Sequence, residues 1–249
     1  MPPPGGAPIH NFRDVPGACS PGGEGRRRFV GRMFDSSAVD YDRIDRVLAL
    51  GTGSRYRRGA LRRAGLAPGM RMLDVAVGTG LVSKEAVPIV GERGSVIGID
   101  PSAGMISSAA VAGLMLVRGR AEILPFAAGI FDFLALGFAL RHLADLTQVF
   151  REFRRVLRPG GRLLVLEITR PRGRVAKALL RTYLRNVVPL VASVVGRSPH
   201  TPMLYRYYWD TIEACVPPAQ VVETMARAGF GNVQHQLQIG IFSEYSATA

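Results

Sequence analysis

The fold of this 249-residue chain is indicated first by one stretch, Leu73-Asp74-Val75-Ala76-Val77-Gly78-Thr79-Gly80. A short apolar run leads into two glycines and then into helix-forming residues, which predicts a strand, a tight turn and a helix. Glycines let the turn approach a ligand closely, and the first N–H groups of the helix can donate hydrogen bonds to it. The stretch therefore predicts a ligand-binding turn after a buried strand.

A carboxylate stands where a nucleoside ligand needs one. Asp100 lies twenty residues beyond Gly80, at the end of the next predicted strand, where it can accept hydrogen bonds from both ribose hydroxyls. A nicotinamide dinucleotide site is one alternative, but its fingerprint has a third glycine where Ser83 stands. A purely structural turn is the other alternative, and the placement of the acid argues against it. We predict a nucleoside cofactor.

Strands and helices alternate on both sides of this turn. Predicted strands cover residues 71–76, 95–99, 114–117, 131–136 and 162–168, and two short strands close the chain at about 233–238 and 241–246. Such alternation predicts an α/β fold with a parallel sheet and crossover helices. Ligands of these sheets bind beyond the carboxyl ends of the strands, where the glycine turn lies.

The N-terminal segment has the composition of a tail. Residues 1–25 contain six prolines and six glycines, so they cannot bury enough apolar surface to offset the entropy of ordering. We predict a disordered tail over residues 1–28 and a single domain over 29–249. Within that domain, a basic helical insertion at about 170–206 interrupts the alternation of strands and helices.

The domain is predicted to open with a helix. It begins at Phe34, is capped by Asp35 or Ser36, and places Tyr41 and Ile44 on one face.

The net charge of +13 raises the alternative of a nucleic-acid-binding protein. The excess is confined to two blocks: residues 1–70 carry 12 basic and 6 acidic side chains, and residues 151–206 carry 13 and 2. No appended RNA-binding module appears in the sequence. Nucleic acid is therefore not the expected partner, and salt-sensitive retention on it would reverse that conclusion.

Cysteine usage and hydropathy indicate the cellular compartment in which the protein is expected. Cys19 and Cys215 are isolated, which predicts no metal site and favours a reducing compartment. No apolar run approaches the roughly 20 residues of a membrane span, and no secretory signal is visible. We expect a cytoplasmic protein.

The motifs around the turn resemble those of the class I S-adenosylmethionine (SAM) methyltransferases. Gly119–Phe126 is similar to the family segment that covers the adenine, Phe131–Leu136 to its fourth strand, and Arg155–Leu163 to the turn into its fifth. The resemblance implies a Rossmann-like class I methyltransferase fold, a mostly parallel seven-stranded sheet with helices on both faces and an antiparallel C-terminal strand. It also implies SAM as the cofactor. The implied cofactor-binding residues are Asp74, Ala76, Gly78, Thr79, Gly80, Asp100, Pro101, Met105, Arg120, Ala121, Glu122 and Gly137.

A narrower family is similar over about residues 30–240, the ubiquinone/menaquinone-biosynthesis C-methyltransferases (UbiE-type). The motifs that carry this similarity are Met33-Phe34-Asp35, Tyr41-Asp42, Phe138-Ala139-Leu140-Arg141 and Tyr205-Arg206-Tyr207-Tyr208. The family usually has Asn where Asp45 and His142 stand, Ser where Gly137 stands and Trp where Tyr56 stands. Because several departures lie where substrate contacts are expected, a methyltransferase that acts on O, N or C of a soluble metabolite is the alternative.

The family resemblance implies attack by a quinol ring carbon on the sulfonium methyl. Such a reaction needs alignment of the reacting atoms, a base for the hydroxyl and a cation beside the phenolate. His142 suits the base because it titrates near neutral pH, and Arg141 suits the cation. The structural alternatives are a hydrogen-bonded loop residue for His142 and a salt-bridge partner for Arg141. Tyr41 is either a lid over the methionine moiety or a core aromatic.

The expected partner is a small molecule, a lipophilic quinol. The basic segment 170–206 has two interpretations. It is either an amphipathic helix that contacts the inner face of the membrane or a solvated cap over the substrate site. A homodimer is compatible with the sequence. An RNA methyltransferase is a further alternative, but residues 137–140 lack the Asp/Asn-Pro-Pro-aromatic element of many exocyclic-amine methyltransferases. A non-catalytic protein that retains the fold is the remaining alternative, and the intact cofactor turn argues against it.

Overall fold

A seven-stranded sheet organises the chain, in the strand order β3-β2-β1-β4-β5-β7-β6. The structure is a computed structural model that describes residues 24–48, 51–171, 173–195 and 201–249. The strands are Arg71–Val75 (β1), Ser95–Asp100 (β2), Leu114–Arg118 (β3), Phe131–Gly137 (β4), Leu157–Ile168 (β5), Gly231–Gln238 (β6) and Phe242–Thr248 (β7). The helices are Glu24–Leu48 (α1), Thr52–Arg63 (α2), Ser83–Val90 (α3), Ala103–Ser108 (α4), Leu146–Val156 (α5), Arg174–Thr182 (α6), Val188–Val195 (α7), Thr201–Glu213 (α8) and Pro218–Arg227 (α9).

The first five strands are parallel, and β7 is antiparallel to both of its neighbours. β1 pairs with β2 and β4 in parallel, while β7 pairs with β5 through Val165 and Tyr245 and with β6 through His235 and Tyr245. The predicted mostly parallel sheet with an antiparallel C-terminal strand is confirmed.

Helices cover both faces of the sheet because successive side chains of a strand point to opposite sides. Leu73 of β1 packs in one cluster with Phe153 of α5, and Met72 packs in another with Leu61 of α2 and Ala86 of α3. Both clusters are almost completely excluded from solvent, and each removes an apolar strand face from water. The prediction of helices on both faces is confirmed.

A third apolar cluster joins α1 to the helices that follow β5. Ile44 of α1, Val188 of α7 and Trp209 of α8 are fully buried in it, and Ile168 at the end of β5 packs against it. A π-helical turn over Tyr183–Val187 links α6 to α7. This layer therefore meets the sheet at a strand's carboxyl end, where ligands of parallel sheets bind.

Within the predicted basic insertion at about 170–206, the described residues are helical from Arg174 to Val195 and again from Thr201. Residues 172 and 196–200 lie outside the described residues. The single-domain boundary at 29–249 stays a prediction.

The predicted start of the first helix was wrong, because α1 begins at Glu24 and not at Phe34. The helix therefore includes residues 24–28 of the predicted tail, while residues 1–23 lie outside the described part of the chain. Neither predicted cap residue caps α1. The Asp35 carboxylate accepts a hydrogen bond from the Ser102 hydroxyl, and the Ser36 hydroxyl donates back to the Met33 carbonyl.

Candidate active site

The glycine turn after β1 adopts backbone conformations that favour glycine. Ala76, Gly78 and Gly80 have φ values of 54°, 57° and 88°. A Cβ on Gly80 would lie 2.9 Å from Val111 Cγ2, so close packing excludes a side chain there, whereas a Cβ on Gly78 would meet nothing within 4 Å. The turn is therefore packed against the protein at Gly80 and open at Gly78, as a surface that cradles a ligand must be.

Asp100 is joined to this turn. Its carboxylate accepts hydrogen bonds from Gly78 N–H at 2.9 Å and from Ser102 N–H at 2.8 Å. The residue is 7% exposed, and burial raises the pKa of its carboxyl group, against the lowering effect of both N–H groups. The acid and the turn that the sequence placed twenty residues apart are thus in direct contact.

Asp74 lies beneath the turn. It is 1% exposed, and it accepts a hydrogen bond from the Ser83 hydroxyl at 2.6 Å, which ties the end of β1 to the start of α3. Burial raises the pKa of Asp74 to about 7, although the bonds from Ser83 lower it. Asp74 therefore supports the shape of the turn from below.

We expect Asp74 to make the stability of the protein depend on pH. Because its folded pKa lies above its unfolded value of 3.8, the folded state holds this proton more tightly. The contribution of Asp74 to the free energy of unfolding should be complete below pH 4 and should be lost as the pH rises from 4 through 7, by up to about 4 kcal/mol. Asp74→Asn removes this contribution, so the variant should gain stability relative to the wild type between pH 5 and 8.

Urea unfolding at pH 5 and pH 8 without SAM measures this difference. Asp210→Asn, which changes a side chain that is 46% exposed, is the control. Equal pH dependence for Asp74→Asn and the wild type would contradict the prediction.

The other predicted cofactor residues follow the ends of β2, β3 and β4. Met105 is buried on α4, and the Pro101 carbonyl accepts a hydrogen bond from Arg118 at 3.3 Å. Ala121 is buried in the core, and Arg120 forms an ion pair with Glu122 at 3.2 Å. These positions share one edge of the sheet because β3, β2, β1 and β4 are successive neighbours.

Gly137 ends β4 on this edge. A Cβ there would lie 2.7 Å from Val82 Cγ2. The glycine in place of the family's usual Ser is therefore explained by the side chain that occupies the space.

Two acidic residues of α1 cross the same edge. Asp42 accepts a hydrogen bond from the Thr79 hydroxyl of the glycine turn, and Asp35 accepts from Ser102 Oγ at 2.5 Å and from Gly104 N–H at 2.9 Å. Sequence reasoning did not assign either carboxylate to the site. Their spacing of seven residues was the available signal, because it places both on one face of a helix.

Arg141 is held in a buried ion pair with Glu167. The side chains are each 1% exposed and meet at 2.5 Å. Arg141 also donates to the Phe138 carbonyl at 2.6 Å and to the Thr211 hydroxyl at 3.2 Å. Burial lowers the pKa of Arg141, but the charge of Glu167, its hydrogen bond and the nearby Tyr208 and Tyr41 together raise the pKa above its usual value. The structure thus places Arg141 as a salt-bridge partner that holds the residues after β4.

Sequence reasoning missed Glu167 as the partner of Arg141. A carboxylate that ends a buried apolar strand was the signal. Phe138, which the pair supports through its carbonyl, has a φ of 59°, and such backbone conformations of non-glycine residues concentrate at functional sites.

His142 and Tyr41 belong to an aromatic cluster above the same edge. His142 Nδ1 lies 3.1 Å from the Tyr207 hydroxyl, and the two rings stack with centroids 5.5 Å apart. The Tyr208 hydroxyl donates to the Tyr41 hydroxyl at 2.9 Å, and burial raises the pKa of Tyr41. The structure brings both predicted residues close to Arg141, whose guanidinium carbon is 4.7 Å from the Tyr208 ring centroid. Their catalytic roles stay predictions.

Known proteins with related sequences are methyltransferases. The chain is 34% identical to the ubiquinone/menaquinone biosynthesis C-methyltransferase UbiE of Syntrophotalea carbinolica, over 86% of this chain and 91% of that protein. It is also 34% identical to the demethylmenaquinone methyltransferase of Mycolicibacterium vanbaalenii, over 88% and 94% of the two chains.

Solved structures share the fold. A SAM-dependent methyltransferase of Thermotoga maritima superposes with a TM-score of 0.62 at 19% identity, over 87% of this chain and 98% of that one. A Haemonchus contortus phosphoethanolamine N-methyltransferase in complex with SAM gives a TM-score of 0.61 at 16% identity, over 97% and 60%.

Residues 23–248 match the ubiE/COQ5 methyltransferase family. The chain therefore belongs to this family and is a SAM-dependent methyltransferase.

Proposed function

We propose that this enzyme methylates a ring carbon of a lipophilic quinol in ubiquinone or menaquinone biosynthesis. The observation that carries the proposal is the 34% identity, over most of both chains, to proteins named as C-methyltransferases of these quinones. Homodimerisation stays a prediction.

The described residues fit SAM at the edge formed by β1 to β4. The open face at Gly78 would admit the ligand, Asp100 would offer a carboxylate to the ribose hydroxyls, and the segment from Arg120 to Glu122 would border the adenine. When bound, SAM supplies its methyl group to the ring carbon, so that a C–C bond forms, the C–S bond breaks and one proton leaves the ring. The protein aligns the two reactants, which supplies much of the acceleration.

Methyl transfer from labelled SAM tests the proposal. The purified protein is incubated with methyl-labelled SAM and a reduced membrane-lipid extract, and both phases are analysed by mass spectrometry. We expect the label on a prenylated quinone, stable to ether-cleaving conditions. Label on a water-soluble product would favour the alternative of a soluble metabolite, and an unlabelled organic phase with intact SAM binding would overturn the quinone assignment.

We further propose that the enzyme reaches this substrate by lying on an anionic membrane surface. No helix in the part of the chain that the structure describes is long and apolar enough to cross a membrane. The segment from α6 to α7 nevertheless exposes apolar side chains that include Leu179 and Leu190, each 66% exposed, and Val194, 78% exposed. The sequence has no acidic residue between Glu167 and Asp210. An exposed apolar stripe within a purely basic segment suits anionic lipid headgroups.

Exposed leucines are expected to carry this membrane binding. Burial of a leucine contributes about 1.5–3 kcal/mol, so Leu179→Gln/Leu190→Gln should reduce partitioning onto phosphatidylglycerol vesicles at least about tenfold. Ile239→Gln, which changes an 82% exposed residue between β6 and β7, is the matched control and should bind as the wild type does. Co-sedimentation with phosphatidylglycerol vesicles and with phosphatidylcholine vesicles measures both. Equal partitioning of the double variant and the control would contradict the proposal.

A further inference from the structure

Two arginines approach Phe138 at the end of β4, and they differ in how their N–H groups are used. Arg141 donates through Nη1 and Nε to protein acceptors. Arg57 of α2 has its guanidinium carbon 5.8 Å from the Phe138 ring centroid, and its side chain is 8% exposed. Its Nε–H is buried and has no hydrogen-bond partner among the described residues.

Asp45 holds Arg57 by the far end of the guanidinium. Arg57 Nη1 lies 3.2 Å from one oxygen of Asp45, and Nη2 lies 2.7 Å from the other. This paired geometry fixes the plane of the guanidinium and leaves the Nε–H on a different edge. A buried N–H group without a partner costs about 1–3 kcal/mol, so such groups are rare in folded proteins unless a ligand satisfies them.

Arg57 is close to the proposed reaction site. Burial raises the pKa of Tyr41, and the positive charges of Arg141 and Arg57 oppose that rise. The charge of Arg57 also acts on Asp74 beneath the glycine turn. By its contacts, Arg57 pairs with Asp45 of α1 and lies over the ring of Phe138, which follows β4, at the sheet edge where the acceptor must meet the methyl group.

We propose that Arg57 contacts the methyl acceptor directly, with its Nε–H donating to the hydroxyl oxygen that ionises. This inference rests on the proposed function. The hydroxyl gives its proton to water, and the oxygen electrons move into the ring. The ring carbon then forms the new C–C bond as the C–S bond breaks with its electron pair on sulfur. Loss of the ring proton to water restores the aromatic ring, and the oxygen regains a proton, so that one proton is released overall.

The assignment explains the departure of Asp45 from the family's usual Asn. An anionic partner can fix the guanidinium through both terminal nitrogens, because a carboxylate accepts two parallel hydrogen bonds. In this proposal the cation beside the phenolate is Arg57, whereas the sequence resemblance assigned that role to Arg141, and the role of Arg141 stays a prediction. Both arginines are paired with carboxylates, Arg57 with Asp45 and Arg141 with Glu167, but the Nε–H of Arg141 already donates to the Thr211 hydroxyl.

Single-turnover methyl transfer across a pH range tests this role. The acceptor is a reduced 1,4-naphthoquinone with a short prenyl chain and no ring methyl, and rates are measured from pH 5.5 to 9. Arg57→Gln should lower the rate at pH 7 by about 100-fold, as loss of an oxyanion donor does. It should also move the half-maximal pH upward by about one unit, because the hydroxyl ionises less readily without the cation. The dissociation constant for SAM should stay within about twofold.

Arg58→Gln is the matched control on the same helix. Arg58 pairs with Glu85 and its side chain is 49% exposed, so its removal should leave rate and pH profile near those of the wild type. Arg57→Lys keeps the charge, and it should give an intermediate rate with a half-maximal pH close to that of the wild type, even if Arg57→Gln fails to fold.

The outcomes separate the two proposals. A wild-type enzyme that binds SAM but does not methylate the quinol overturns the proposed function and this inference with it. A wild type that turns over, with Arg57→Gln at an unchanged half-maximal pH, overturns the role of Arg57 alone, because a merely structural residue would change the rate without moving the pH profile. If only Arg57→Lys folds, a half-maximal pH raised by about one unit overturns the inference.

Discussion

Asp100→Ala is expected to raise the dissociation constant for SAM by about 100-fold or more. The substitution removes the carboxylate that accepts from Gly78 N–H and Ser102 N–H and, in our proposal, from the ribose hydroxyls. Hydrogen bonds to charged groups contribute about 1.5–3 kcal/mol each, so the loss of two of them corresponds to at least about 3 kcal/mol, or a factor of about 100. Isothermal titration calorimetry measures the change.

Asp132→Ala is the matched control for Asp100→Ala. Asp132 is also a buried carboxylate that accepts a backbone N–H, from Arg71 at 2.6 Å, and it pairs with Arg158. Asp132 lies near the start of β4, at the amino ends of the parallel strands, whereas Asp100 lies at the carboxyl end of β2. Asp132→Ala should leave the SAM affinity within about twofold of the wild type. An Asp100→Ala variant that binds SAM within threefold of the wild type would show that this carboxylate does not hold the cofactor.

Glu167→Ala is expected to lower the free energy of unfolding by about 3–5 kcal/mol, because it leaves the Arg141 guanidinium buried without its counter-charge. Glu167 also accepts hydrogen bonds from the backbone N–H of Arg141 at 3.1 Å and of Ile168 at 2.8 Å. Breaking this pair therefore removes acceptors from three donors in a region that is closed to water. Urea unfolding without SAM measures the loss.

Two further variants make the test of the ion pair decisive. Glu223→Ala removes the partner of Arg227 in an exposed pair, with side chains 58% and 73% exposed, and should change stability by less than about 1 kcal/mol. Arg141→Met/Glu167→Leu removes both buried charges and should recover most of the loss. A Glu167→Ala variant within 1 kcal/mol of the wild type, or a double variant no more stable than Glu167→Ala, would contradict this account.

The strand–turn–helix unit and its acid were predictable from the chain alone. The conformations at Gly78 and Gly80 depend on short-range sterics, which residue type determines. The position of Asp100 beside the turn was predictable because consecutive parallel strands end at the same edge of the sheet. The alternation of strands and helices predicted the sheet in the same way, since hydrophobic periodicity is a local property.

The start of α1 could not be predicted from local sequence signals. Asp35 has the residue type of a helix cap, yet its carboxylate bonds to Ser102 and Gly104 of another segment. A side chain that can satisfy either a local or a distant donor is assigned by the packing of the whole fold.

The partners of the charged side chains at the site were decided only by the tertiary structure. Sequence motifs singled out Arg141, and the fold compensates it with Glu167 and leaves the buried Nε–H of Arg57 without an acceptor. Short-range sterics and hydrophobic periodicity act within a few residues, so the sequence by itself determined the fold class, the cofactor turn and Asp100. Electrostatic pairing depends on distance in space, and the order of the strands and the packing of α1 and α2 bring together groups that lie far apart in the chain.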